Sequence, residues 1–295
     1  MFLVLYSKTT NMNSRRKFLK ATGLLATGAL AGAHMARAWS GNRIQNFGLQ
    51  LYSLRTELPK DPKGILKQVA SFGYKQVESF EGQQGMFWGM THTDFKKYMD
   101  DLGMTIISSH CNINTDFEKK AAQAGEIGMK HLICPWIGPQ KTLDDYKRFA
   151  DKFNACGDIC KKNGLRFGYH NHGYTFQPVE GVMPQDTLMQ NTNDNTVDYQ
   201  MDIYWVITPG ADPLAWINKY PNRFTSCHVK DRMKQADSDD ASCDLGTGQI
   251  DLKKILKTAS QKGMKYYVVE QENYPDSTPL KSVEVDAAWM NKLEL

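Results

Sequence analysis

Residues 164–172 read GLRFGYHNH. Gly164 follows a helical pattern and opens a short apolar run, and the run ends on two histidines. Glycine is the natural residue just past a helix C-terminus because it adopts positive φ freely. The same junction recurs as GYKQV from Gly73, GMTII from Gly103, GMKHL from Gly128 and GMKYY from Gly263. From Gly73 to Gly164 the successive spacings are 30, 25 and 36 residues, the span of one strand–helix unit.

Filling in the intervening segments predicts eight strands, beginning near Phe47, Tyr74, Met104, Lys130, Arg166, Val197, Phe224 and Lys265. Helices fall near 61–72, 92–102, 115–127, 143–163, 184–190, 212–220, 251–262 and 281–293. Asp61-Pro62 and Thr142 to Asp145 read as helix starts. Eight alternating units of this length place the chain in the α/β class, as a closed parallel (β/α)8 TIM barrel with a single domain. The open, doubly wound sheet is the alternative. The stretch at the first strand, GLQLYSLR at 48–55, lacks the G-x-G-x-x-G fingerprint of its dinucleotide-binding versions.

The chain has 295 residues, 23% charged and 41% hydrophobic, ordinary for a globular protein. SRRKFLK at 14–20 reads as a twin-arginine signal, followed by the apolar stretch Ala21–Ala33 and an A-x-A cleavage site at Ala36–Ala38. Residues before Met12 read as an upstream start extension. The expected division is a signal peptide at 1–38 and the barrel domain at 39–295, exported to the periplasm. The apolar stretch is too short and too rich in Gly and Ala for a stable membrane anchor. This leader carries six Lys/Arg and no acidic residue, so the formal +4 of the whole chain becomes about −2 for 39–295. The basic balance therefore belongs to the leader, which argues against a nucleic-acid partner. Six cysteines show neither zinc-knuckle nor C-x-x-C spacing. Self-association as a homo-oligomer stays open.

Four metal-type ligands each stand at the end of their own predicted strand: His170, Asp202 in VDYQMDIYW, His228 in FTSCHVKD and Glu270 in YYVVEQE. In a (β/α)8 barrel these strand ends converge on one mouth. Two imidazoles and two carboxylates suit a divalent ion such as Mn²⁺, Zn²⁺, Co²⁺ or Fe²⁺ better than Ca²⁺. Of the six histidines after the leader, four fall at strand ends, His110, His170, His172 and His228. The plain alternative for any one of them is a hydrogen-bonded packing histidine.

These residues carry a resemblance. The stretches GLQLYSLR, VESFEG, SSHCN, GLRFGYHNHGYTF, MDIYW with PGADP, RFTSCHVKD and VVEQENY are similar to the xylose-isomerase-like barrels grouped as sugar phosphate isomerases/epimerases, which share a fold with type-2 apurinic endonucleases. The resemblance implies one metal ligand from each of strands five to eight, which here are His170, Asp202, His228 and Glu270. It implies a metal-dependent sugar isomerase or epimerase that abstracts a proton next to a carbonyl. A divalent cation would stabilise the enediolate, and Glu270, His170, His172 or Lys230 would move the proton. Two departures stand out. Many epimerases of this fold carry Glu where His170 stands, so a two-carboxylate epimerisation is in doubt, and Thr175 replaces a Glu of related sequences. The HNH cluster resembles a branch linked to inosose dehydration or to cleavage of 3-keto-glycosides, so a lyase is the alternative reaction.

Other mouth residues are candidates for binding a small-molecule sugar or keto-sugar: His110, Glu78, Trp136, His172, Lys230 and Glu272. Each has a plain alternative: a structural hydrogen-bonder for His110 and Glu78, barrel packing for Trp136, an ordinary surface lysine for Lys230. Glu272 is a second carboxylate beside the ligand Glu270. A non-catalytic carbohydrate-binding barrel is the reading of another class. An abasic-DNA endonuclease is opposed by the charge and by too few His and Asp ligands.

Overall fold

The structure is a computed structural model that describes residues 43–295. The leader assigned to 1–38 lies outside the described residues. Eight parallel strands close into a barrel: β1 Gly48–Gln50, β2 Gln76–Phe80, β3 Thr105–His110, β4 His131–Cys134, β5 Arg166–His170, β6 Val197–Asp202, β7 Phe224–Val229 and β8 Tyr266–Val269. Eight helices alternate with them: α1 Pro62–Ser71, α2 His92–Asp101, α3 Phe117–Glu126, α4 Leu143–Lys162, α5 Pro184–Gln190, α6 Pro213–Lys219, α7 Leu252–Gln261 and α8 Pro279–Lys292. This is the (β/α)8 TIM barrel read from the junction pattern. No described helix is long and apolar enough to cross a membrane.

The local chemistry explains the boundaries. Asp61, Thr142 and Asp251 cap α1, α4 and α7 by accepting from the backbone N–H of Gly64, Asp145 and Lys254, which satisfies donors the helix itself cannot. At Thr142 the box is reciprocal, with Asp145 returning a bond to the cap backbone. The five junction glycines all take positive φ, from 68° at Gly103 to 105° at Gly73, where a Cβ would be strained. At Gly157 the demand is space: a Cβ there would meet Thr196 Oγ1 at 2.8 Å, so α4 lies directly on the start of β6. The strands are buried nearly throughout, as expected when helices cover a parallel sheet.

Two features were not in the periodicity. A five-residue helix, Ile203–Ile207, follows β6 without a loop, and a two-residue pair joins Asp231–Arg232 to Ser242–Cys243 after β7. Both are too short for a hydrophobic pattern to register. The second is held by Asp231, whose carboxylate accepts from the backbone of Arg232, Gly246, Gly248 and Ile250. All six cysteines are buried free thiols.

Inward residues alternate along each strand. On β6 they are Asp198, Gln200 and Asp202, one per barrel layer. Asp198 closes the N-terminal end, accepting from Arg166 at 2.6 Å through each oxygen and from His131 Nε2 at 2.8 Å. Burial opposes its charge, but the bonds from His131 and Arg166 outweigh burial and hold its pKa at about 2. The stability this contributes is present above the ordinary carboxylate value near ~4 and is lost as pH falls from there toward 2, about 2 kcal/mol in all. Denaturant melts of wild type and Asp198→Asn should differ by that pH-dependent component. Asp198→Ala should cost about 2–3 kcal/mol at neutral pH, because it leaves His131 and Arg166 unpaired.

Candidate functional site

Strand register assembles the site at the C-terminal ends. Gln50 lies beside Glu78, His170 beside Gln200, and Asp202 beside His228. Glu270 and Lys230 are the residues just past the paired ends Val269 and Val229. Six of the eight strands therefore contribute to the cluster.

Its centre is Asp202. One carboxylate oxygen, Oδ1, accepts from the Trp205 N–H at 2.9 Å and caps the helix Ile203–Ile207. The other, Oδ2, is buried without any hydrogen-bond partner. It faces His228 Nδ1 at 3.6 Å and His170 Nε2 at 3.8 Å, and His228 Nδ1 in turn faces Glu270 Oε2 at 3.1 Å. Bonds of about 2.1 Å to a shared ion, at angles of about 90–120°, put ligand atoms roughly 3.0–3.6 Å apart. Ligand atoms of Asp202, His228 and Glu270 all lie within 4.8 Å of one another, as do those of His110, His170 and His228. Each of these two triads, which share His228, could hold a divalent cation, and an orphaned buried carboxylate oxygen is what such an ion would satisfy.

A second layer fixes how the imidazoles present themselves. Glu78 is fully buried and accepts from Gln50 Nε2 at 2.7 Å, Ser108 Oγ at 2.5 Å, His228 Nε2 at 2.7 Å and Gln200 Nε2 at 2.8 Å. A carboxylate only accepts, so the Gln200 amide must turn its NH₂ toward Glu78. Its carbonyl then points at His110 Nε2, 2.7 Å away, and at His170 Nδ1, 3.1 Å away. Both nitrogens must donate, which leaves His170 Nε2 as a lone pair aimed at Asp202. By the same logic Glu78 takes the Nε2 proton of His228, so an ion would have to take Nδ1 in place of the proton that this nitrogen shares with Glu270. Metal-bound histidines are oriented this way by the partner of their other nitrogen. Burial raises the cost of charge on Glu78, but His110 and His228 outweigh it and hold its pKa well below the carboxylate range.

The expected substrate contact of Glu78 does not hold: its oxygens are saturated from beneath, and it does not reach the cavity. Lys230 is likewise no surface lysine. It is buried, paired with Glu272, 3.3 Å from Glu270 Oε2, and lies over the rings of Tyr204 and Trp205. Burial opposes its charge, but Glu270, Asp202 and Glu272 outweigh burial and raise its pKa. Burial likewise opposes charge on His228 and Glu270. Glu270 and its neighbours hold the His228 pKa well up, and His228 and Lys230 hold that of Glu270 well down. Thr175 donates to the His172 carbonyl at 3.0 Å, tightening the turn.

Above the cluster opens a cavity of about 810 Å³. Its wall carries His110, Trp136, His170, His172, Glu270 and Glu272, together with Tyr52, Phe80, Glu81, Asn112 and Trp205. Trp136 is 56% exposed, so it belongs to the mouth and not to barrel packing. His172 touches the rings of Trp136, Tyr174 and Trp205. Its Nδ1 is buried without a partner. Burial pushes its pKa down to about 4, so the ring is neutral at pH 7. Tyr52, Phe80, Asn112 and Trp205 were not singled out from sequence. Only the aromatic residues following β1 and β6 offered a signal.

A family profile described as xylose isomerase-like TIM barrel matches residues 66–293. A crystal structure of a sugar phosphate isomerase/epimerase from Parabacteroides distasonis is 31% identical, with a TM-score of 0.73, over 84% of this chain and 98% of that one. Inosose dehydratase of Lacticaseibacillus casei is 30% identical over 152 residues, 46% of this chain and 50% of that protein. The chain thus matches about half the length of that curated relative. A structure of the same fold, 15% identical with a TM-score of 0.67 over 83% of this chain and 96% of that one, was solved with a bound zinc atom.

If Gln200 orients the site as described, Gln200→Leu should lower affinity for Zn²⁺ or Mn²⁺ about 10–100-fold. Calorimetric titration checks this, with circular dichroism confirming that the barrel is intact.

Proposed function

The chain belongs to the xylose isomerase-like TIM barrel family, and from that premise we propose that it is a metal-dependent enzyme that removes the proton next to the carbonyl of a polyhydroxylated ketone, with elimination as the outcome. The observation that carries this reading is the orphaned Asp202 Oδ2, which faces His170 and His228, while His170 and Glu270 stand in the wall of a wide cavity. A divalent cation bound there would act as a Lewis acid, lowering the cost of negative charge on a carbonyl oxygen.

The chain's own groups supply the rest. Gln200 commits His170 Nε2 to the ligand side, so His170 is not free to act as a base. The fifth strand therefore supplies no carboxylate to work with Glu270, as two-carboxylate epimerisation needs. His172 is a cavity-wall imidazole that is neutral and lacks a partner at Nδ1, and it takes the proton. Glu272, in contact with the Lys230 ammonium, has its pKa raised chiefly by burial and delivers a proton to the departing hydroxyl. One base and one distinct acid serve elimination, whereas reversible epimerisation needs two groups that exchange roles. The relative named inosose dehydratase supports this direction.

The substrate is proposed to be unphosphorylated. The described cavity wall carries Glu81, Glu270 and Glu272 and no Lys or Arg, so a phosphate would meet repulsion. Export by the leader at 1–38 remains part of the proposal and agrees with a free sugar or cyclitol. Isomerisation is the second reading, favoured by the full-length similarity to the Parabacteroides distasonis isomerase/epimerase.

Proton NMR in D₂O with Mn²⁺-loaded protein tests the proposal on inosose and free ketoses. Loss of water is expected. Deuterium entering beside the carbonyl with the skeleton intact would select isomerisation, and no change with any ketone would overturn the proposal. His172→Asn should lower kcat about 10²–10⁴-fold while metal content stays at the wild-type level.

A further inference from the structure

The metal-lined cavity has a neighbour. A second compartment of about 470 Å³ shares three wall residues with it, Trp136, His172 and Trp205. Beyond them its wall continues through Tyr174, Gln177, Thr208 and Asp239. Each compartment alone is in the range that takes a whole small molecule, about 300–1,000 Å³. We infer that the outer compartment is a binding site for a second saccharide ring, so that the protein takes disaccharide-sized glycosides with one ring over the metal cluster and the other beyond the Trp136–His172–Trp205 partition. The inference rests on the proposed function only in taking the inner cavity as the seat of a sugar ring.

Three observations carry it. Trp136 keeps 56% of its surface exposed although its ring is held edge-to-face against His172 at 4.5 Å and Tyr174 at 4.9 Å. A tryptophan fixed at low entropic cost and left open at a mouth offers a flat apolar surface to the C–H face of a ring. The outer wall also mixes aromatic surface with hydroxyl, amide and carboxylate groups at Thr208, Gln177 and Asp239, the combination that recognises a polyol rather than a hydrocarbon. The partition itself carries a buried polar atom with no partner, His172 Nδ1. A sugar hydroxyl at the passage between compartments would lie by this residue and donate to it, and an unpartnered buried nitrogen is unfavourable until something bonds to it.

The test compares D-glucose with trehalose, maltose, cellobiose and gentiobiose by calorimetric titration of the full protein loaded with Mn²⁺. At least one disaccharide should bind about tenfold or more tightly than glucose. Thr208→Phe, which fills the outer compartment, should remove that advantage and leave glucose affinity unchanged. Asp239→Ala should reduce the same advantage without adding bulk, and circular dichroism with retained glucose binding shows that either variant is folded. If glucose binds and no disaccharide binds more tightly, or if the advantage survives Thr208→Phe, the second-ring site is overturned while the proposed function stands. If the disaccharide advantage is present and lost as stated, yet no ketone exchanges protons or loses water, the site stands and the proposed reaction falls. Binding of none of these sugars overturns the second-ring site, while the proposed function falls only if no ketone exchanges protons or loses water.

Discussion

A single buried carboxylate organises the upper half of this barrel. Glu78 on β2 receives donors from Gln50 on β1, Ser108 on β3, Gln200 on β6 and His228 on β7. A charge in a closed barrel is tolerable only when its hydrogen-bonding capacity is filled. Each of those donors is therefore fixed in orientation, and each fixes something further. Gln50 is itself held by the Tyr52 N–H at 3.0 Å, which ties the start of the mouth loop to the same centre. The imidazoles of the site have defined lone pairs because Glu78 accepts and cannot donate.

This dependence explains what was legible in the sequence and what was not. The barrel was readable because five junctions end a helix on a glycine with positive φ and follow it with a largely buried strand. The strand-end residues His170, Asp202, His228 and Glu270 were readable because strand ends are where a barrel concentrates polar side chains. Gln200 was not, since a glutamine within VDYQMD has no periodic signature and acquires its role only through His110, His170 and Glu78 from other strands. Glu78 was visible as a residue but not in its role. Whether an inward carboxylate faces the cavity or supports the layer beneath depends on register, which shifts between Val77 and Glu78 in the pairing of β2 with β3. The leader at 1–38 rests on the sequence alone.

The departure at strand five is also structural. A glutamate at position 170 would bring another negative charge close to Asp202, with Glu78 and Glu270 nearby, and Gln200 would turn its carbonyl toward it. Histidine donates to that carbonyl through Nδ1 and still offers the lone pair of Nε2. The residue at 170 is therefore coupled to Gln200, and under the proposed reading the same hydrogen bond would make the fifth strand supply a ligand and not a base.

Asp202 divides its two oxygens between two tasks. One closes the first turn of Ile203–Ile207, and the other faces the imidazoles. That short turn carries Trp205, which walls both compartments. Ion loading and the pose of the indole are therefore mechanically linked through a single side chain. An ion held at Oδ2 would load the same carboxylate that anchors the turn, and would so tie the occupancy of the site to the position of the indole at its entrance.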